Sequence, residues 1–285
     1  MNRDLAASVR AKLLNIAKAQ GSDFNQILIR YALERFLYRL GQSQHADHFL
    51  LKGALLFALW YDMPHRPTRD VDLLGFGASD LNTLQQIFTD IASISAPDGI
   101  NFDTTSIQLE TIRKDAGYTG ARITMSGELA KARFKTQIDI GFGDAVTPGP
   151  VHALYPVLIA DFPAPSLRTY PVYSVISEKF HAIALLGMAN SRLKDYWDML
   201  IIFERENLDN AILAQAIAAT FARRGMAVPT VSPIGLSDEF ANDVSRLAMW
   251  QTFLKKNGLP SLPLAEVIAT LGAKLQPALD LAAVQ

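Results

Sequence analysis

The 285-residue chain contains no cysteine. Disulfide staples and thiolate zinc sites are therefore excluded, and the composition fits a reducing compartment. A surplus of positive charge is missing too: 27 Lys and Arg stand against 28 Asp and Glu, a net charge of −1. No global field draws a polyanion to such a chain, so any polyanion site has to be a local cluster of Lys and Arg. Apolar runs such as "ALLFALWY" are far shorter than a membrane span. The first residues carry Arg3 and Asp4 among helix formers in place of an apolar signal core, and the expectation is a soluble cytoplasmic protein. Tandem repeats and low-complexity tracts are absent. His45, His48, His65, His152 and His181 show no H-E-x-x-H or other ligand spacing. They read as structural or exposed groups, His181 as a helix-surface group.

What is present is a hydrophobic fraction of 49%, enough for a large core and for two domains. Helical periodicity runs over 3–20 and 23–40, split by a Gly-Ser-Asp stop and start. "FLLKGALLFALWYDM" reads as a short apolar entry, a Lys-Gly turn and a buried helix. "TRDVDLLGF" alternates and predicts a strand; "SDLNTLQQIFTDIASI" returns to helix with Ser79 as its cap. Three alternating segments between Asp103 and Phe142 predict antiparallel strands. Residues 147–171 are proline-rich and read as an irregular crossover, and nearly everything after Ser174 is helical. The order predicts an α+β fold with a mixed or antiparallel sheet flanked by helices, divided into a core over 1–165 and a helical domain over 166–285.

The stretch "HRPTRDVDLLGFG", 65–77, raises the chemical question. Strand side chains alternate, so Asp70 and Asp72 project to one side and Val71 and Leu73 to the other. Like carboxylates this close repel unless water or a cation neutralises them. In "KTQIDIGFG" the residues Lys135, Gln137 and Asp139 share one face, and Phe134, Thr136, Ile138, Ile140 and Phe142 the other. If the two strands are neighbours, three carboxylates converge beside a lysine. Hard oxygen ligands of this kind suit Mg²⁺ together with substrate phosphates, and two such ions serve an in-line nucleotidyl displacement. An isolated D-x-D is as often a solvated strand face. The third aspartate and the neighbouring Arg66 and Arg69 tip the reading towards a metal site.

Lys52-Gly53 precedes the buried helix. Its glycine permits close backbone approach, and the helix N-terminus offers amides to an anion, although the Walker spacing is absent. In "SVISEKFHAIALLGMANSRLKDYWDML" an apolar stripe leaves Glu178 and Lys179 to one side, and Lys194, Asp195 and Asp198 lie on the flank of the next helix. Composition alone favours surface salt bridges there. The functional alternative puts Lys179 on a phosphate with Asp195 orienting it. Arg223-Arg224 and Lys255-Lys256 read as solvated faces. Thr68 shares strand parity with both aspartates. It is either a β-branched strand residue or a control point, where a phosphate would occupy the space of the NTP phosphates.

Taken in order, "FLLKGALLFALW", "RPTRDVDLLGFG", "QIDIGFGDAV" and "SEKFHAIALLGMANSRLKDYWDML" resemble the AbiEii/AbiGii toxin family of nucleotidyltransferases, within the DNA polymerase β-like superfamily. The resemblance covers about Leu5 to Phe203, and "YALERFLYRL" fits it. It implies that Lys52-Gly53 takes the place of the glycine motif, that Asp70 and Asp72 are the metal pair with Asp139 as third carboxylate, and that Lys179 and Asp195 belong to the site. Lys52, Gly53, Arg66, Thr68 and Arg69 would then face the nucleotide. The chain departs from the pattern at Gly53-Ala54-Leu55, where many superfamily members have Gly-Ser or Gly-Gly-Thr and so a hydroxyl for the triphosphate. Family members are toxins with a separately encoded antitoxin, and several add nucleotides to tRNA 3′ ends. The implied activity is Mg²⁺-dependent transfer of NMP from an NTP to an acceptor, with tRNA foremost. A protein or small-molecule acceptor, or a degenerate nucleotide-binding module, is the alternative.

Overall fold

The computed structural model describes residues 3–61, 70–113 and 119–282. The expected control point Thr68, and with it His65, Arg66 and Arg69, lies outside the described residues. The chain forms two compact units, Met1–Gly143 with Val151–Thr169, and Asp144–Pro150 with Tyr170–Gln285.

The first unit opens with helices α1 (Arg3–Gln20) and α2 (Phe24–Gln42), the latter capped by Asp23, whose carboxylate accepts from the Asn25 and Gln26 amides. There follow β1 (Phe49–Lys52), α3 (Leu55–Tyr61), β2 (Asp70–Gly75) and α4 (Leu81–Ser93). The cap of α4 is Asp80, accepting from the Thr83 amide, and not the expected Ser79. An ionised carboxylate satisfies the first-turn amides better than a hydroxyl one residue too early. Then come β3 (Asn101–Arg113), β4 (Thr119–Leu129) and β5 (Ala132–Phe142), the expected antiparallel meander. The supposedly irregular crossover contains two short strands, β6 (Val151–Leu154) and β7 (Ser166–Thr169), too brief for periodicity to reveal.

Among the described residues, seven strands form one mixed sheet in the order β3-β4-β5-β2-β1-β7-β6. The fold is therefore α+β, as expected. β1 runs antiparallel to β2, and β2 runs parallel to β5. The apolar face of β5, with Phe134, Ile138 and Ile140, is buried, and α2 and α4 cover that side of the sheet. Phe36, Phe88 and Phe102 meet there, with Phe36 stacked on Phe88 and edge-on to Phe102. Arg39 of α2 is buried and grips Asp98 through both guanidinium arms, at 2.6 and 3.1 Å.

The β4–β5 hairpin closes on only two residues, Ala130 and Lys131, both at positive φ (45° and 68°). Such a turn normally takes Asn or Gly, because a Cβ is crowded in the left-handed region.

The second unit is helical: α5 (Val172–Leu186), α6 (Leu193–Arg205), α7 (Asn210–Arg223), α8 (Asp238–Asn242), α9 (Val244–Asn257) and α10 (Leu264–Ala282). Its core includes Phe180 against Phe221, Trp197 against Trp250 and Tyr196 stacked on Phe240. Two expectations fail here. Arg224 is no solvated group, since it pairs with Asp144 at 3.1 Å and Glu178 at 3.6 Å. His181 is not on the helix surface but 1% exposed, packed on Phe221, with Nδ1 3.4 Å from Arg224 Nη1. The apolar stripe of α5 is wider than the positions read from its periodicity, and His181 falls within it.

Two buried groups respond to acid in opposite senses. Burial, followed by the Arg224 charge, pushes the His181 imidazole from 6.5 down to about 4. The unfolded chain therefore takes up this proton first, and stability is lost as pH falls from 6.5 towards 4, by at most about 3 kcal/mol. Glu34 on α2 is buried beside Arg35 at 3.0 Å and accepts from the Leu158 amide at 2.7 Å. Burial pushes its carboxyl from 4.5 up to about 7, so it contributes stability below that range and loses it as pH rises through 7. Urea unfolding against pH should show a flatter acid limb for His181→Gln and a steeper one for Glu34→Gln. Limbs parallel to wild type in both variants would refute the assignment.

Candidate active site

The register of the sheet builds the site. Residues paired directly across neighbouring strands project to the same face. Lys52 on β1 faces Asp72 on β2, Asp72 faces Asp139 on β5, Asp139 faces Arg122 on β4, and Arg122 faces Glu110 on β3. Asp70 pairs with Gln137 and so stands on the same side, one step along the strand. The expected shared face of Asp70, Asp72 and Asp139 is thus present, because β2 and β5 are neighbours in parallel register. Asp70 and Asp72 are half-buried, while Asp139 is 6% exposed.

Gly53 sits at φ +75°, and a Cβ there would lie 2.2 Å from Asp72 Oδ2 and 2.7 Å from its Cβ. No other residue fits without moving that carboxylate. The close approach expected of Gly53 is thus to Asp72, over which the turn closes, and the α3 that follows has seven residues, about two turns. Lys52 is buried directly across the strand from the same aspartate.

Asp139 has a partner that sequence reasoning missed. Arg122 forks onto it, Nε to Oδ1 and Nη2 to Oδ2, each at 2.9 Å, and Gln137 Nε2 donates to Oδ1 at 3.2 Å. Arg122 Nη1 lies 3.7 Å from Glu110. The hydrogen bond to Asp139 is the chief reason that the guanidinium is held above even its ordinary high pKa. Among the described residues, no three His, Asp or Glu side chains gather closely enough to hold a metal ion by themselves. Asp70 and Asp72 fit a divalent cation as a pair of hard oxygen donors on one face, with the rest of the shell left to phosphates and water.

The second unit holds its own charge cluster. Lys179 on α5 donates to Asp195 Oδ1 at 2.7 Å and to Asp198 Oδ2 at 2.8 Å, and Arg192 Nε donates to Asp195 Oδ2 at 2.7 Å. Both carboxylates are buried, which rules out the surface salt bridges favoured by composition. Burial alone would drive the Lys179 ammonium towards neutrality, but the two aspartates outweigh it and hold its pKa above the ordinary value. Burial likewise opposes the Asp195 charge, and Lys179 and Arg192 overcome it, holding the carboxyl below its usual range.

A family model described as nucleotidyl transferase AbiEii toxin, type IV TA system, matches residues 35–278. The chain belongs to the AbiEii family. It is therefore a nucleotidyltransferase of a toxin–antitoxin family. Among solved structures it is similar to JHP933 from Helicobacter pylori, with 16% identity, 89% of this chain and 92% of that chain covered, and a TM-score of 0.46. A putative nucleotidyltransferase from H. pylori is similar at 16% identity, 89% and 95% coverage, and a TM-score of 0.45. No curated protein gives a significant match. No described helix of this AbiEii chain is long and apolar enough to cross a membrane.

Arg122 escaped notice because "GARITMSGEL" shows only that it lies on a polar strand face; which residue it meets depends on register. Asp198 carried a signal, its i,i+3 spacing from Asp195, which places both on one flank of α6.

Proposed function

We propose that this AbiEii protein transfers NMP from an NTP to an acceptor hydroxyl with release of pyrophosphate, and that the acceptor is the 3′ end of tRNA. The observation that carries the reading is the row Lys52–Asp72–Asp139 with Asp70 beside it. Three acids and a lysine on one sheet face, under a glycine turn that admits no side chain, are costly for a module that only binds.

Asp70 and Asp72 would hold Mg²⁺, which when bound withdraws charge from the phosphates and steadies the pyrophosphate leaving group. Asp139 accepts the proton of the attacking hydroxyl. Lys52 neutralises the triphosphate from β1, and Arg66 and Arg69 extend that role. Lys179, oriented by Asp195, would serve a phosphate on the helical unit. Positioning and charge neutralisation supply most of the catalysis. The type IV toxin–antitoxin assignment brings a separately encoded antitoxin as protein partner.

A protein or small-molecule acceptor is the second reading. It is favoured by the net charge of −1 and by the internal pairing of Arg224, which removes it from any basic surface. Incubation with each α-labelled NTP, Mg²⁺ and total RNA separates the two. Label in the tRNA band is the expected result. Label in a protein band or a small product establishes the second reading, and no transfer from any NTP overturns both.

A further inference from the structure

We propose that Arg122 is a positioning residue for the divalent cation: it holds the Asp139 carboxylate while no cation is present and yields it to the incoming cation, turning towards Glu110 on the edge strand. The inference rests on the reading of Asp70, Asp72 and Asp139 as the acids of a nucleotidyltransferase.

Three features carry it. The guanidinium engages both oxygens of Asp139 in a fork, so the carboxylate that faces Asp72 is already committed to a cation of the protein's own. A divalent ion held by Asp70 and Asp72 would draw on the neighbouring Asp139 carboxylate as well, and its charge and that of the guanidinium repel. A second acceptor is in place on the far side. Glu110 pairs with Arg122 across β3 and β4, its carboxylate is 3.7 Å from Nη1, and its side chain is 65% exposed and able to follow. Arg122 is itself one-third exposed on a long stem, so the turn needs no backbone motion. Together with Asp70, the row from Glu110 to Lys52 contains four acids and two bases. Arg122 therefore stabilises Asp139 beside Asp72 before the cation arrives and sets the affinity with which the cation displaces it.

Calorimetric titration of the full chain with Mn²⁺, without nucleotide, tests this. Arg122→Gln should bind Mn²⁺ about tenfold or more tightly than wild type, because the competing cation is gone. Glu110→Gln should bind about two- to threefold more weakly, because Arg122 loses its alternative acceptor. Arg122→Lys keeps the charge but not the fork and should fall between wild type and Arg122→Gln. It carries the test if the glutamine variant does not fold. Folded Arg122 variants that bind Mn²⁺ no more tightly than wild type overturn the inference. Asp72→Asn keeps that failure distinct from failure of the underlying reading. If Asp72→Asn abolishes binding while the Arg122 variants match wild type, only the role of Arg122 falls. If Asp72→Asn and wild type bind alike, the acidic site itself falls.

Discussion

Asp72→Asn should abolish nucleotidyl transfer and leave the fold standing. Asp72 stands between Lys52 and Asp139 in the row, and the turn at Gly53 closes directly over its carboxylate. The amide has the same shape, so it disturbs neither the turn nor the strand. It removes the negative charge, and with it half of the carboxylate pair that would hold the cation. A loss on the order of a thousandfold or more follows if that charge serves the transition state. Stability responds differently. Relief of repulsion against Asp139 offsets the lost attraction to Lys52, and the net change should stay within about 1 kcal/mol. Label transfer and a thermal melt on one preparation check both halves. Wild-type turnover at low Mg²⁺ would remove Asp72 from the site.

Lys179→Met should destabilise the helical unit by about 3–5 kcal/mol, the cost of taking one partner from a buried ion cluster. The ammonium bridges two buried aspartates, and without it their like charges lose the cation they share, while Arg192 still donates to Asp195. Adding Asp195→Asn and Asp198→Asn to Lys179→Met removes the stranded charges and should recover much of the loss. Urea unfolding of the single and triple variants measures this directly. An unchanged midpoint in Lys179→Met would show that the fold does not need the ammonium. The catalytic role proposed for Lys179 must therefore be judged on variants corrected for the folded fraction, since lost activity from unfolding would otherwise pass for lost chemistry.

How legible the site was follows from what each feature depends on. Asp70 and Asp72 share a face by parity alone, which any strand obeys, so that part was readable from the sequence. The convergence of Asp139 was readable only conditionally, because two strands far apart in the chain had to become neighbours. Arg122 and Glu110 were out of reach. Their meeting with Asp139 depends on the register of β3, β4 and β5, and no local pattern states a register. The burial of Lys179, Asp195 and Asp198 was hidden for another reason. Charged residues at helical spacing look the same on a wet flank as under a neighbouring helix, and only packing distinguishes them. β6 and β7 were missed because four residues among prolines carry too little alternation.

The hairpin turn at Ala130-Lys131 links length to chemistry. Because it is only two residues long, the pairing Leu129 with Ala132 dictates, rung by rung, that Arg122 meets Asp139. One residue more or less would bring Ile138 or Ile140 opposite Arg122, and a cation would point into the core side of the sheet. The crowded backbone of Ala130 and Lys131 is tolerated for that reason: a looser connection would relieve the strain but let the strands slip. Elsewhere in the protein a loop can gain a residue and absorb it locally. Here the loop is a ruler, and lengthening it by one residue would detune a charged pair at the distant end of the strand without touching either member.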